Sequence, residues 1–483
     1  MIKLDAFGKN DIRGIYGETV TEELFYYVGK AYVKYVQDRT NEKKVYISVI
    51  RDARLSSLSL MKSLIKGLTD AGGNVISLGM GPTPLAYYSE FAEVPFARID
   101  ASLIVTASHN PPEYNGLKMT CQQQSLHEEQ IKDVKNLTQQ VIEGKVNFGE
   151  ENGTYTKFDI IQDYINVQAS MWGDEHKNVK IVTDCANASA GVIAPKMLKE
   201  LGYDVVELFT EPDGNFPNHH PNPSVESTLD TLKKTVVETG ADVGVAFDGD
   251  ADRIGVIDSE GNYLTGDKLL YFYAVTDILP EYKNSEEKPA IISEVKCSQV
   301  LFDGLNKLGA NAIMCKTGHG FIKAKMAETN AVAAGEMSGH MFFKDRWFGF
   351  DDAVFAAARI AYIINTLKLK NPNFKISDIL KPFDEVYTSP EIRFPCKNEL
   401  KKPVLQKLDN VISENPALFN DKIKEINKLD GLRIIFDGGF AMIRQSNTEP
   451  VFTLRFEGKN EQICNGYKNS LLKELEKICE EIK

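Results

Sequence analysis

Three stretches of the chain repeat one pattern of hydrophobic and polar positions. An apolar run, at 45–50, 179–182 and 290–293, is followed each time by a polar turn and a helical stretch. That stretch ends in leucine and glycine before a second β-branched run and a glycine-rich loop, as in LTDAGGNVISLGMGPTP, LKELGYDVVELFTEPDG and LNKLGANAIMCKTGHG. Glycine between a helix and a β-branched run is the expected transition from helix to strand. The repeat predicts three related α/β segments.

The order of strands and helices also predicts where ligands bind. Strands that alternate with helices form largely parallel sheets, whose ligand sites lie in loops beyond the carboxyl ends of the strands. The last segment differs, because its short predicted strands at 392–394, 432–436, 440–443 and 451–456 are flanked by helices at about 402–414 and 461–482. At 483 residues the chain is too long for one hydrophobic core. The predicted domains are 1–159, 160–266, 267–371 and, as a C-terminal α+β domain, 372–483.

Charge and cysteine content exclude several classes of protein. The formal net charge of -12 makes nucleic acid an unexpected partner, although a few arginines can still bind a phosphorylated small molecule. The seven cysteines are scattered without a CxxC spacing, so neither a disulfide framework nor a zinc site is indicated. The first residues lack the apolar region of a signal peptide, and no apolar run of about 18 residues occurs. We therefore expect a cytoplasmic protein without a membrane span.

The first loop with candidate chemistry is TASHNPPEYNGLKM, residues 106–119, which follows the apolar run 103–105. Ser108 can lie at the exposed carboxyl edge of a sheet, while the two prolines keep the following backbone extended. This placement suits a nucleophile or a phosphate carrier, and a turn with only local hydrogen bonds is the alternative. His109 need not be the base for Ser108, because neighbouring side chains diverge in extended backbone.

The second loop is FDGDADR, residues 247–253, which also follows an apolar run. Asp248, Asp250 and Asp252 alternate along the loop and can converge on one hard cation, and oxygen ligands favour Mg²⁺ or Ca²⁺ over zinc or copper. An EF-hand calcium loop is excluded, because an arginine and a serine stand where its glycine and its last glutamate are needed. A magnesium site with spare coordination for phosphate is favoured over a solvated acidic turn.

Two further loops carry side chains suited to a phosphorylated sugar. The motif GEMSGH sets Glu336, Ser338 and His340 at alternate positions after an apolar run, where they can project into an open crevice. An acid, a hydroxyl and an imidazole suit a ligand whose hydroxyls both donate and accept. The motif RQSNT offers a guanidinium, hydroxyls, an amide and backbone N–H groups, which can hold a phosphate, and an ordinary turn is its alternative. The residues of this clamp are Arg444, Ser446, Asn447 and Thr448.

Together the four loops imply phosphoryl transfer on a phosphosugar. They would supply a serine carrier, a site for a hard metal ion, a sugar-binding loop and a phosphate clamp. The chain contains neither a GxxxxGK[ST] loop nor a kinase glycine loop, so the phosphoryl donor need not be a nucleotide. This favours a phosphate stored covalently on the protein.

Seven motifs in order along the chain resemble those of the α-D-phosphohexomutases, most closely the bacterial-type phosphomannomutase/phosphoglucomutase branch. They are NDIRG, TASHNP, NGLK, DGDADR, KTGH, GEMSGH and RQSNTEP. The resemblance covers essentially the whole chain. It implies three related α/β domains with mixed, largely parallel sheets and a C-terminal α+β domain of TATA-binding-protein-like type around a central cleft. It also implies reversible phosphoryl transfer between the 1- and 6-positions of mannose and/or glucose phosphate.

The resemblance further implies roles for the matching residues. A phosphoserine would bind Mg²⁺ together with the three aspartates, and a hexose 1,6-bisphosphate intermediate would reorient while the clamp grips its other phosphate. The implied catalytic residues are Ser108, Lys118, His319, Arg13 and Arg253, the metal ligands are Ser108, Asp248, Asp250 and Asp252, and the substrate contacts are Glu336, Ser338, His340, Arg444, Ser446, Asn447 and Thr448. Lys118 would need a depressed pKa to act as a base.

Several alternatives stay open at this point. A phosphoglucosamine mutase of the same superfamily usually has GEQSGH in its sugar loop, where this chain has Met337. A non-catalytic phosphosugar-binding protein would be expected to lose the serine or a metal carboxylate, and a phosphatase would release phosphate instead of transferring it. Asn10 stands where many family members have a tyrosine, so substrate preference does not transfer simply. Glucose or mannose, monomer or dimer, and the phosphorylation state of Ser108 are left undecided.

Overall fold

The structure is a computed structural model that describes residues 2–95, 98–173, 177–446 and 449–482. It separates into two compact units. The first comprises Met1–Gly266 with Ser338–Lys375, and the second comprises Asp267–Met337 with Ile376–Lys483. The four domain boundaries stated above remain predictions. Within the described residues, no helix combines the length and the apolar character needed to cross a membrane.

The first segment folds into a seven-stranded mixed sheet with helices. Its elements are β1 (Ile12–Ile15), α1 (Glu22–Thr40), β2 (Tyr46–Arg51), α2 (Ser57–Asp70), β3 (Asn74–Met80), α3 (Thr83–Ser89), β4 (Ala101–Val105), β5 (Tyr114–Cys121), β6 (Gln124–Ser125), α4 (Glu129–Ile142) and β7 (Tyr155–Lys157). The strand order is β1-β5-β4-β2-β3-β7, and the seventh strand, β6, pairs with β5. β2 is parallel to β3 and β4, and β5 is antiparallel to β4. All five residues of β4 are buried, as expected for an apolar run in a sheet covered on both faces. The loop that carries Ser108 follows this strand.

The second segment forms a five-stranded sheet in the order β12-β11-β10-β8-β9. Its elements are α5 (Ile161–Trp172), β8 (Lys180–Asp184), α6 (Ala194–Glu200), β9 (Asp204–Leu208), α7 (Asp230–Thr239), β10 (Val243–Phe247), β11 (Ile254–Asp258) and β12 (Tyr263–Leu264). β10 lies parallel to β8 and antiparallel to β11. The turn between β10 and β11 therefore presents the three aspartates at the carboxyl end of a buried strand.

The third segment contributes to both compact units. Its elements are α8 (Gly266–Tyr273), α9 (Leu279–Glu281), β13 (Ala290–Glu294), α10 (Gln299–Lys307), β14 (Asn311–Cys315), α11 (His319–Thr329), β15 (Ala333–Gly335), β16 (Met341–Phe343) and α12 (Ala353–Lys370). In the second unit, β13 lies between β14 and β15 and parallel to both, which confirms the α/β prediction. In the first unit, α12 packs against β10 and β11. Residues 353–361 are all buried, because this part of the helix is apolar on nearly every side.

The last segment is an antiparallel α+β fold, as predicted. Its elements are α13 (Ile376–Leu380), β17 (Tyr387–Thr388), β18 (Ile392–Pro395), α14 (Asn398–Glu414), β19 (Ile423–Asn427), β20 (Leu432–Phe436), β21 (Gly439–Gln445), β22 (Val451–Gly458) and α15 (Glu461–Ile482). The strand order is β17-β22-β21-β20-β19, and β18 also pairs with β22. The two long helices α14 and α15 pack on each other and on β22, where Phe452, Leu454 and Leu475 form part of the core. The loop after β21 carries the predicted phosphate clamp.

Candidate active site

Ser108 lies in a strained turn against the acidic loop. Its φ of 50° is left-handed, a conformation that costs a residue with a Cβ about 1–2 kcal/mol. The side chain is buried, and its Oγ donates a hydrogen bond to Oδ2 of Asp248 at 2.7 Å. A Cβ on Gly249 would lie only 2.2 Å from the carbonyl oxygen of Ser108. Glycine at that position is what allows the two loops to approach so closely.

The left-handed turn also changes the position of the neighbouring imidazole. Nδ1 of His109 lies 3.1 Å from Oγ of Ser108. The sequence argument assumed extended backbone, in which the side chains of Ser108 and His109 diverge. In the structure Ser108 is left-handed, and this conformation brings the two side chains together. Burial, together with the positive charges of Arg253 and Arg13, lowers the pKa of His109 well below its ordinary value. The ring is therefore neutral at neutral pH, and its Nδ1 can donate a hydrogen bond to the serine hydroxyl or accept one from it, depending on the tautomer.

The three aspartates of the second loop converge as predicted. Asp248, Asp250 and Asp252 are buried, and one oxygen from each lies within 4.8 Å of the others. Oδ1 of Asp250 and Oδ1 of Asp252 are buried without a hydrogen-bond partner. Such oxygens are costly to leave unpaired, and an all-oxygen donor set suits a hard divalent cation. The residues present therefore fit a metal site.

Lys118 on β5 supplies the positive charge closest to these carboxylates. Its Nζ lies 2.6 Å from Oδ2 of Asp250 and 2.5 Å from Oδ2 of Asp252. Burial alone would lower the pKa of Lys118, but Asp250 and Asp252 raise it well above its ordinary value. This is the opposite of the depressed pKa that a base would require. In this arrangement Lys118 is a protonated counter-charge and a proton donor.

The pKa values of Asp248 and Asp252 are shifted in opposite directions. Burial and the neighbouring Asp252 and Asp250 raise the pKa of Asp248 well above its ordinary value. Against the effect of burial, Lys118 and His340 lower the pKa of Asp252. Asp248 is thus the carboxyl of the three that most readily holds a proton, because the ion pairs of Lys118 are with Asp250 and Asp252.

Arg13 on β1 reaches the turn after Ser108. Its Nη1 donates to Oδ1 of Asn110 at 2.9 Å, and its Nη2 pairs with Oδ2 of Asp11 at 2.5 Å. Its Nε is buried without a hydrogen-bond partner. Arg13 therefore keeps one donor available close to the serine loop, as a residue that binds phosphate needs.

His340 is buried beside Arg253, and it does not project into an open crevice as the sequence argument expected. Nε of Arg253 donates to Nε2 of His340 at 2.9 Å. Nδ1 of His340 lies 3.1 Å from the carbonyl oxygen of Asp252 and 3.2 Å from Oδ2 of Asp351. The imidazole is thereby fixed between the acidic loop and a second carboxylate. Ser338, two residues earlier, is only partly buried.

The second compact unit contains the remaining predicted residues. Oε1 of Glu336 accepts a hydrogen bond from the backbone N–H of Gly318 at 2.6 Å, which holds the turn just before His319, the first residue of α11. Nε of Arg444 donates to Oδ2 of Asp430 at 2.9 Å, and the same oxygen accepts from the backbone N–H of Thr317 at 3.1 Å. The clamp arginine and the His319 turn are therefore held by one carboxylate.

The clamp loop is described only in part. The backbone N–H of Ser446 donates to the carbonyl oxygen of Val451 at 3.1 Å, and its Oγ accepts from the N–H of Glu449 at 3.2 Å. Asn447 and Thr448 lie outside the described residues. The first half of the clamp is thus a hydrogen-bonded turn at the end of β21.

Sequence reasoning missed Lys296 and Asp430 in this unit. Nζ of Lys296 lies 3.2 Å from Glu391 and 3.6 Å from the buried Glu294. Burial would lower the pKa of Lys296, but those two carboxylates raise it. Lys296 lies two residues after the end of the buried strand β13, which is the signal that could have found it. Asp430 lies in an ordinary Asp–Gly turn and carries no comparable signal.

Four family models match the chain in order. The descriptions are phosphoglucomutase/phosphomannomutase, alpha/beta/alpha domain I at residues 4–145, domain II at 161–261, domain III at 265–383, and the C-terminal domain at 391–474. Together they cover most of the sequence, including all four candidate loops.

Individual proteins agree with this assignment. The chain is 37% identical to a phosphomannomutase/phosphoglucomutase of Pseudomonas putida, over 94% of this chain and 92% of that protein. It is also 37% identical to a phosphoglucomutase of Neisseria gonorrhoeae, over 97% and 96% of the two chains. Among solved structures, a phosphoglucomutase/phosphomannomutase family protein from Burkholderia thailandensis matches with a TM-score of 0.86 and 34% identity, over 99% of this chain and 98% of that chain.

Proposed function

The chain belongs to the phosphoglucomutase/phosphomannomutase family and is a phosphohexomutase, and from this premise we propose that it interconverts the 1- and 6-phosphates of glucose and/or mannose. The transfer would proceed through a phosphoserine at Ser108 and a hexose 1,6-bisphosphate intermediate. The observation that carries this proposal is the hydrogen bond of 2.7 Å between Oγ of Ser108 and the first of three buried, converging carboxylates. A serine beside a metal-type carboxylate cluster suits phosphoryl transfer.

The carboxylates Asp248, Asp250 and Asp252, with the phosphate on Ser108, would hold the Mg²⁺ ion. When bound, such a cation neutralises the charge on the phosphoryl oxygens. The oxygens of Asp250 and Asp252 that lack a hydrogen-bond partner support this assignment. Arg13 and Arg253, whose guanidinium groups are held by neighbouring side chains, would orient the phosphoserine.

In the first half-reaction, the bond between phosphorus and Oγ of Ser108 breaks, and a bond forms from phosphorus to the free hydroxyl oxygen of the hexose phosphate. The hydroxyl proton passes to a base, and Oγ of Ser108 regains a proton. His319 and Lys118 are the proposed acid/base residues, and the raised pKa of Lys118 keeps its ammonium protonated, which disfavours it as the base. The second half-reaction reverses these steps with the other phosphate of the bisphosphate.

The residues of the sugar loop and of the clamp would bind the sugar phosphate. Arg444 and Ser446, with Asn447 and Thr448, would grip the phosphate that is not reacting. Glu336 and Ser338 would hold sugar hydroxyls, and His340 remains a proposed substrate contact. We further propose a cytoplasmic enzyme, because the seven cysteines form no disulfide in the described residues.

A coupled assay tests this proposal. Conversion of glucose 1-phosphate and of mannose 1-phosphate would be measured with Mg²⁺ and a trace of glucose 1,6-bisphosphate. Turnover with at least one sugar is expected, and Ser108→Ala should lower it about 1,000-fold or more. Ser170→Ala, an exposed serine of the same unit, is the matched control. Turnover by Ser108→Ala at the rate of the wild type would overturn the phosphoserine, and the ratio of the two sugars measures the preference.

A further inference from the structure

Arg54 contacts the Ser108 loop more extensively than any residue considered so far. It lies three residues after the end of β2, as the last residue of the segment RDAR, and is buried. Its Nη2 donates to the carbonyl oxygens of Ser108 at 2.8 Å and Asn110 at 2.6 Å. Its Nη1 donates to the carbonyl oxygens of Pro111 at 2.5 Å and Tyr114 at 3.0 Å. One guanidinium therefore binds four backbone carbonyls, three in the loop that begins with Ser108 and one at the first residue of β5.

The fifth donor of Arg54 is also used. Its Nε donates to Oδ2 of the buried Asp52 at 3.0 Å. A guanidinium has five N–H donors, and all five are occupied here. Arg54 thus has no donor left for a phosphate or a sugar hydroxyl, although it lies next to the proposed phosphoserine. Its contribution has to act through the loop that it binds.

Asp52 is also linked, through Thr106, to the backbone N–H of Ser108. Oγ1 of Thr106 donates to Oδ2 of Asp52 at 2.8 Å and accepts from the backbone N–H of Ser108 at 2.9 Å. The N–H of Ser108 is therefore held through Thr106, and its carbonyl oxygen is held by Arg54. Both peptide groups that flank the left-handed serine are tied to one buried ion pair.

We propose that Arg54 is a positioning residue that, with Asp52 and Thr106, holds Ser108 in its left-handed conformation and so aims Oγ at the acidic loop. The proposal rests on the proposed function of Ser108 as phosphoryl carrier. A left-handed conformation is unfavourable for serine, so the turn needs contacts that over-determine it. Lysine could not replace Arg54, because an ammonium has three donors and no planar fork.

The chain contains a matched control for this arginine. Arg359 on α12 is also buried in the first unit, pairs with Asp345 through Nη1 at 2.8 Å, and lies over a phenylalanine ring at 4.5 Å. Arg54 likewise pairs with a carboxylate, that of Asp52, and lies 5.3 Å from the ring of Phe216. The contacts of Arg54 include the Ser108 loop. The contacts named here for Arg359 do not. Arg54→Lys and Arg359→Lys therefore separate loss of a buried guanidinium from loss of loop positioning.

The experiment measures kcat, KM and hydrogen–deuterium exchange for the wild type, Arg54→Lys, Thr106→Val and Arg359→Lys. Arg54→Lys is expected to lower kcat about 100-fold with KM changed by less than about 3-fold, because a misplaced nucleophile slows the chemical step without weakening the sugar contacts. Peptides that cover residues 106–114 should exchange faster, and other peptides should not. Thr106→Val, which removes one hydroxyl at nearly constant volume, should lower kcat about 10-fold.

The proposal would be overturned if Arg54→Lys had the same kcat as the wild type and the same hydrogen–deuterium exchange in residues 106–114. An Arg359→Lys variant that reproduces the same loss of kcat and the same loop exchange would also overturn it. If Arg54→Lys does not fold, Thr106→Val decides by the same two measurements. Absence of mutase turnover in the wild type would instead contradict the proposed function, and the exchange of residues 106–114 would still decide whether Arg54 positions the loop.

Discussion

Replacing Glu90 by glutamine should remove a pH dependence from the stability of the first unit. Glu90 follows α3 and is buried, where it accepts hydrogen bonds from Oγ of Ser102 at 2.8 Å, from Oγ1 of Thr120 and from the N–H of Gln123 at 2.6 Å. Burial raises the pKa of Glu90 to about 7, although these hydrogen bonds oppose the rise. The folded protein therefore binds a proton here more tightly than the unfolded chain, whose glutamate pKa is 4.5.

The sign and size of the effect follow from linkage. Because the pKa is raised on folding, the stabilisation is fully present below pH 4.5 and is lost as the pH rises through about 7. At about 1.36 kcal/mol for each pKa unit, the loss amounts to about 3 kcal/mol, most of it between pH 5 and 8. Glutamine keeps a neutral side chain of the same shape at every pH, so Glu90→Gln should lack this loss.

The assay is urea unfolding followed by tryptophan fluorescence from pH 5 to 8. Both tryptophans, Trp172 and Trp347, lie in the first unit, so their signal reports on the unit that contains Glu90. Asp352, whose pKa burial also raises to about 7, is present in both proteins and cancels in the comparison. Glu238→Gln, at an exposed glutamate of the same unit, is the control. The same pH slope in Glu90→Gln and in the wild type would refute the reasoning.

Three further predictions concern the metal loop, the core and the clamp. Asp250→Asn should weaken the binding of a divalent cation, measured by calorimetric titration, and should lower kcat about 100-fold or more. In the wild type, EDTA should abolish turnover until Mg²⁺ is restored. Leu103→Ala, in the centre of the fully buried strand β4, should destabilise the first unit by about 2–5 kcal/mol in urea unfolding. Arg444→Lys should raise KM for the sugar phosphate about 10-fold with little change in kcat, because lysine cannot bind phosphate with two parallel hydrogen bonds. Arg39→Lys, at an exposed position of the first unit, should leave KM unchanged. An unchanged KM in Arg444→Lys, unchanged metal affinity in Asp250→Asn, or a wild-type urea midpoint in Leu103→Ala would contradict the respective assignment.

The elements predicted best were those whose signal is local. The apolar runs at 45–50, 179–182 and 290–293 are followed by helix and glycine, and the structure has β2, β8 and β13 there. In the last segment, β17 and β19 were missed, because β17 has two residues and β19 reads IKEIN, in which three of five residues are polar and none is buried. Helix α14 begins at Asn398, before Pro403 and not at about residue 402, because a proline in the early turns leaves most of the helical hydrogen bonds intact.

The sequence predicted those site residues that belong to short motifs. Ser108 and the three aspartates meet as expected, because each loop follows a buried strand and its residues are close in sequence. The contacts of Arg54 and Asp430 could not be predicted, since they depend on backbone groups that are far away in the sequence. The approach of His109 was missed for another reason, because a left-handed serine has no signature in composition or periodicity.

The measurement that tests the central claim most directly is transfer of phosphate from Ser108 to sugar in a single turnover. The protein would be loaded with radiolabelled phosphate, the labelled residue identified by mass spectrometry, and the labelled protein mixed with excess glucose 1-phosphate or mannose 1-phosphate and Mg²⁺. We predict that label leaves Ser108 and appears first in the hexose 1,6-bisphosphate, at a rate no slower than kcat. Label that stays on the protein, or that appears only as inorganic phosphate, would contradict the account.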